Sequence, residues 1–104
     1  MSTDGEILSN VNIIIKEILP DSEVFLFGSR VTGNWNEESD WDILILSEKI
    51  YPKSVKRLIH DKLFSFGLSN GYVFNFILAT KDEWENHPAY YSLQKGIGNQ
   101  YIGL

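Results

Sequence analysis

The sequence contains no cysteine. Disulfide staples are therefore excluded, and so is any thiolate zinc site. That composition fits a reducing cytosol, and a cytoplasmic protein is the expectation. Long apolar runs are also missing. The longest stretches fall far short of the roughly 20 residues that a membrane helix needs. The start, Met1 to Glu6, lacks the basic residues and apolar run of a signal peptide. Positive charge is scarce: 9 Lys and Arg stand against 14 Asp and Glu, a formal net charge of -5. Such a chain repels a phosphate backbone unless its charge is strongly segregated, so long nucleic acid is an unfavoured partner. A nucleoside triphosphate is different, because a bound divalent metal offsets both sets of negative charge. Internal repeats and low-complexity segments are absent as well.

What is present fits one domain spanning residues 1–104, since the chain has 104 residues. Helix and strand patterns alternate, which argues for an α+β layer structure. Residues 4–19 read as a helix, with Ile7, Leu8, Val11, Ile14, Ile15, Ile18 and Leu19 on one apolar face. Thr3 or Asp4 suits the N-cap, and Pro20 stops the helix. Residues 22–27 read as a strand ended by Gly28, and residues 31–39 as a loop rich in Gly, Asn and Ser. A second strand spans residues 40–47. Pro52 opens a helix to about Phe66, with Val55, Leu58, Ile59, Leu63 and Phe66 at helical spacing. Gly67 and Gly71 are expected to bracket a turn. A third strand spans residues 72–79, and strands two and three are apolar enough for burial on both faces. Thr80 is placed to cap a short helix from Lys81 to Asn86, and a further helix is expected between Pro88 and Lys95. The tail has room for one more short strand.

Chemistry concentrates between Phe27 and Asp42. Gly28 directly follows a strand, where the missing Cβ lets the backbone turn sharply and approach a ligand. Ser29 offers a backbone N–H and a hydroxyl, and a helix start here would favour phosphate. Arg30 adds a fixed positive charge. Asp40 and Asp42 stand two apart on a strand, so their side chains share one face, about 6.5–7 Å apart. Hard oxygen ligands at that separation suit Mg²⁺, which takes one or two carboxylates and completes its shell with phosphate oxygens and water. The two acids could also bridge a pair of ions. Trp41, between them, points the other way and reads as core. Trp35 in the loop reads as a surface residue rather than a cover for a nucleobase.

The run Gly28-Ser29-Arg30-Val31-Thr32-Gly33, followed by Ser39-Asp40-Trp41-Asp42-Ile43, resembles the motif of the minimal nucleotidyltransferase family, within the DNA polymerase β-like nucleotidyltransferase superfamily. The resemblance extends to the layout and size of the chain, but only residues 27–46 carry the motif. It implies a small mixed β-sheet with helices packed on one face, the nucleotidyltransferase fold. It implies that Gly28 and Ser29, with Arg30, hold a triphosphate and that Asp40 and Asp42 ligate one or two Mg²⁺ ions. The reaction implied transfers a nucleoside monophosphate, AMP from ATP, to a hydroxyl. Family members of this size are often encoded beside a HEPN-domain protein as a toxin–antitoxin pair, so a HEPN-type partner is expected.

One position departs from the family pattern. A third carboxylate is expected on the strand beside Asp-x-Asp, and Asn75 occupies that position here. Asparagine cannot carry negative charge or accept a proton at ordinary pH. A catalytically weakened nucleotide-binding module that neutralises its partner by binding is therefore the alternative reading. Elsewhere, His60 and His87 lack partners at metal-ligand spacing and read as structural or solvated. Lys53, Lys56, Arg57 and Lys62 form a basic helix face whose default reading is solvation. Trp84, Tyr90, Tyr91 and Tyr101 serve either an interface or closure of the core.

Overall fold

The computed structural model describes residues 3–33 and 40–104. Trp35 and Ser39 lie outside the described residues. Helix α1 spans Asp4–Ile18 and begins where expected: the Thr3 hydroxyl accepts a hydrogen bond from the Glu6 N–H at 3.2 Å. Strand β1 (Glu23–Phe27) leads through Gly28 into a single helical turn, α2 (Ser29–Thr32). The loop read from Val31 onward thus begins later, because Val31 and Thr32 close that turn and Gly33 caps it at φ 86°. Strand β2 (Trp41–Ser47) is followed by α3 (Lys53–Asn70) and β3 (Phe74–Thr80).

Helix α3 runs past the point where the sequence pattern ends. Gly67 is buried inside the helix, and Gly71, left-handed at φ 79°, is its C-cap. A Cβ on Gly67 would lie 2.3 Å from the Tyr72 carbonyl oxygen. The glycine therefore admits the returning chain rather than breaking the helix. Short elements complete the fold: α4 (Lys81–Asn86), a 3-10 turn (Pro88–Tyr90), α5 (Tyr91–Ile97) and β4 (Ile102–Gly103). Thr80 caps α4 through a reciprocal box, its hydroxyl accepting from Glu83 N–H while Glu83 Oε1 accepts from Thr80 N–H.

The sheet is mixed, in the order β3-β2-β1-β4. Strand β1 runs antiparallel to β2 and β4, while β2 and β3 are parallel across the α3 crossover. Alternation along the strands separates two faces. Val24, Leu26, Trp41, Ile43 and Ile45 join Ile7, Val11, Ile15, Leu19, Ile59 and Leu63 in the main core beneath α1 and α3. These two long helices share one face, as the expected α+β nucleotidyltransferase fold requires. The opposite face is partly covered as well: Leu44, Leu46 and Ala79 cluster with Trp84 and Tyr90. Trp84 and Tyr90 thus help close the core, while Tyr91 and Tyr101 stay 57% and 49% exposed. Burial on both faces holds along β2 from Ile43 to Ser47 but not along β3, which is half-buried at Phe74 and exposed at Asn75 because it is the outermost strand.

Candidate active site

The acids emerge at the start of β2. Trp41 is 1% exposed and packs into the helix-covered core, edge-on to Tyr72 with ring centroids 5.9 Å apart. Its neighbours in the strand must therefore point the other way. Asp42 is half-buried on the opposite face, and Asp40, just before the strand, is exposed. Register sets Asp42 between Phe27 of β1 and Asn75 of β3. Asn75 Nδ2 donates to Asp40 Oδ2 at 2.9 Å. The position read as the third-carboxylate site is thus in direct contact with the acid pair.

Gly28 closes the other side. Its φ of 80° is left-handed, and a Cβ placed there would lie 2.2 Å from Asp42 Oδ2. Two separate constraints therefore require glycine: the backbone bend and the carboxylate packed against it. The turn that follows has no side-chain cap at its start, leaving the Ser29 N–H without an intrahelical acceptor. Arg30 lies half-buried, its guanidinium carbon 4.1 Å from the centre of the Trp41 ring. That cation–π contact ties α2 to the start of β2. It was not legible in the sequence, where Arg30 and Trp41 stand eleven positions apart and belong to different elements.

Burial holds the Asp42 carboxyl above the usual carboxylate range. Hydrogen bonding of the Asn75 amide to Asp42 itself opposes that rise, and the neighbouring Asp40 charge adds to it. Both upward causes are ones that a bound cation relieves. The donor set consists of two carboxylates and an amide carrying an oxygen, all hard ligands, with Asp40 and Asn75 open to solvent. Mg²⁺ fits such a set, since it needs only one or two carboxylates beside phosphate oxygens and water. Among the described residues, no cluster of three or more His, Asp or Glu forms a self-sufficient metal cage. A cavity of about 750 Å³ opens beside Asn75, between β3 and the first half of α3. Its helix wall includes Lys53, Lys56 and Arg57 of the exposed basic face. Their charge was visible in the sequence, but the facing strand was not. His60 also lines this wall and pairs with Asp61 at 3.3 Å. His87 caps the 3-10 turn by accepting from the Ala89 N–H at 3.1 Å. Among the described residues, no helix is long and apolar enough to cross a membrane.

Residues 8–96 match the family model described as Nucleotidyltransferase domain. Probable protein adenylyltransferase MntA of Haemophilus influenzae is 43% identical over 45 residues, which is 43% of this chain and 40% of that protein. The chain thus spans less than half the length of the curated relative it matches. A crystal structure of a protein assigned as a nucleotidyltransferase shares the fold with a TM-score of 0.67 at 25% identity, over 94% of this chain and 97% of that one. A chain in the crystal structure of a toxin-antitoxin with AMP-PNP has the same fold, with a TM-score of 0.63 at 16% identity, over 90% of this chain and 69% of that one.

Proposed function

The chain belongs to the nucleotidyltransferase domain family, and from that membership we propose that it transfers AMP from ATP to a hydroxyl on a HEPN-type partner protein. The observation that carries the reading is the contact between the Gly28 bend and the Asp42 carboxylate, with Asp40 on the same face. In this proposal Gly28 and Ser29 orient the triphosphate, and Arg30 assists. Asp40 and Asp42 hold Mg²⁺, which when bound neutralises phosphate charge. The acceptor hydroxyl gives its proton to solvent as its oxygen forms a bond to the α-phosphorus, the bond from that phosphorus to the bridging oxygen breaks, and pyrophosphate leaves with that electron pair. Because the acceptor and leaving groups carry the bond changes, the chain's own work is positioning and charge placement. The protein acceptor is motivated by the name of the Haemophilus influenzae relative, a protein adenylyltransferase. The toxin–antitoxin setting is motivated by the motif resemblance.

The test is incubation with Mg-ATP and the protein encoded by the neighbouring gene, followed by intact mass measurement. An AMP adduct on the neighbour is expected. A folded sample that leaves the neighbour unmodified would overturn the reading.

Asn75 favours one second reading, a module that neutralises its partner by binding alone. Asn75 pairs in register with Asp42 and donates to Asp40, which supports reading it as a neutral amide where the family pattern expects a third acid. A missing general base costs about 10²–10⁴-fold in rate. Under that reading, the double variant Asp40→Ala/Asp42→Ala still neutralises the partner. Loss of neutralisation with binding retained would remove it.

A further inference from the structure

Strand β3 is the last strand on its side of the sheet. The Trp41 N–H donates to the Val73 carbonyl at 2.9 Å. By the alternation of a parallel ladder, the main-chain groups of Phe74, Phe76 and Leu78 then face outward. Among the described residues, no strand covers that edge. Open edges of this kind accept an added strand.

Helix α3 overhangs the edge. Lys53, Lys56, Arg57 and His60 are all exposed and line the 750 Å³ cavity together with Phe74 and Phe76. Asp61 is the one acid in that lining, against three cations, and its carboxylate contacts the His60 ring at 3.3 Å. Among the described residues, Lys53, Lys56 and Arg57 make no ion pair. An otherwise acidic chain, of net charge -5, thus gathers uncompensated cations in one hollow. Asn75 lines the same hollow and its side chain touches Asp40, so the groove and the candidate active site meet at the β3 edge. Farther along the edge the surface turns apolar: Phe64, Leu68 and Val73 are 58%, 71% and 59% exposed and border a smaller hollow of about 110 Å³.

We propose that this groove docks an acidic, extended segment of the protein acceptor, laid along β3 with its hydroxyl-bearing end toward Asp40 and Asp42. Naming the occupant as the acceptor rests on the transferase reading above. Charge complementarity selects an acidic ligand. The outward main chain and the apolar end select a polypeptide, because a nucleic acid backbone would use the cations and leave the other two features idle.

The test uses the whole chain and three dye-labelled probes read by fluorescence anisotropy at low salt. The probes are a decapeptide alternating Glu and Val around a central Tyr, the same peptide with Lys for Glu, and a ten-nucleotide oligothymidylate. The acidic peptide is expected to bind at least tenfold more tightly than its Lys counterpart. The triple variant Lys53→Glu/Lys56→Glu/Arg57→Glu should lose at least tenfold of that affinity while binding Mg-ATP as the wild type does. Milder Lys56→Gln/Arg57→Gln replacement, read the same way, serves if the triple variant fails to fold. Equal binding of the two peptides, or full affinity in a folded groove variant, overturns the proposal. Tighter binding of oligothymidylate than of the acidic peptide also overturns it, in favour of nucleic acid. Binding of the acidic peptide by a chain that does not bind Mg-ATP supports the groove and counts against the transferase reading alone.

Discussion

Beneath α1 and α3, Ile7, Val11, Ile15, Ile43, Ile45 and Ile59 are each 0% exposed. On the other side of the same strands, Asp40 and Asn75 are exposed and Asp42 is half-buried beside a like charge. One side chain step along β2 separates the two environments. Each fully buried aliphatic contributes about 1.5–3 kcal/mol through apolar burial. The acid pair contributes no such term, and burial disfavours the charge on Asp42. The larger apolar core therefore lies on the helix-covered side of the sheet, and the candidate site on the other. The strong side makes it possible to hold two like charges at fixed spacing on the weak one.

This division predicts opposite outcomes for substitutions on the two sides of the sheet. Ile45→Ala should cost about 2–5 kcal/mol in chemical denaturation, the scale of an aliphatic cavity. It should leave transfer per folded molecule nearly unchanged. Gly28→Ala should do the reverse. Its Cβ would meet Asp42 Oδ2 at 2.2 Å in a left-handed backbone conformation. Displacing that carboxylate by about an ångström should lower the transfer rate at least ~10²-fold in steady-state assays. A cavity variant that abolished transfer while folded, or a fully active Gly28→Ala protein, would show that the two sides are not separable in this way.

Asn75→Asp probes the acid side alone. A third carboxylate in register with Asp42 should raise Mg²⁺ affinity about tenfold, measured by titration with ATP present. In the metal-free protein it should lower the melting temperature, because three acids then repel at one spot.

The smallest effect concerns Asp42 and pH. Its folded-state carboxyl is raised above the ordinary value by burial and by Asp40, against the Asn75 hydrogen bond. A raised carboxyl favours the folded state most where it is protonated, below its unfolded value. That contribution fades as pH rises through the raised folded value. Metal-free Asp42→Asn should therefore melt slightly higher than wild type at neutral pH, and the gap should close on acidification. Added Mg²⁺ should stabilise the wild type and not the variant.

Much of this was legible in the sequence. The period of α1, the Thr80 cap and the alternation about Trp41 are local patterns, and each was read from neighbouring residues. What escaped depended on distant partners. Gly67 looked like a turn residue because glycine ends many helices. Only the approach of the Tyr72 carbonyl explains its place inside α3. The Arg30 stack on Trp41 and the covering of the second face by Trp84 and Tyr90 likewise need the assembled sheet. Asn75 was matched to the acid pair from the family pattern, and the strand register sets it directly opposite Asp42. Gly28, Ser29, Arg30, Asp40 and Asp42 are proposed to hold a metal–nucleotide complex.

Equilibrium binding of a fluorescent ATP analogue, with Mg²⁺ and then with EDTA, addresses those roles directly. Wild-type protein should bind the analogue only when Mg²⁺ is present, and Asp40→Ala/Asp42→Ala should not bind it under either condition. Binding that survives EDTA, or equal binding by the folded double variant, would mean that these carboxylates do not hold a metal–nucleotide complex.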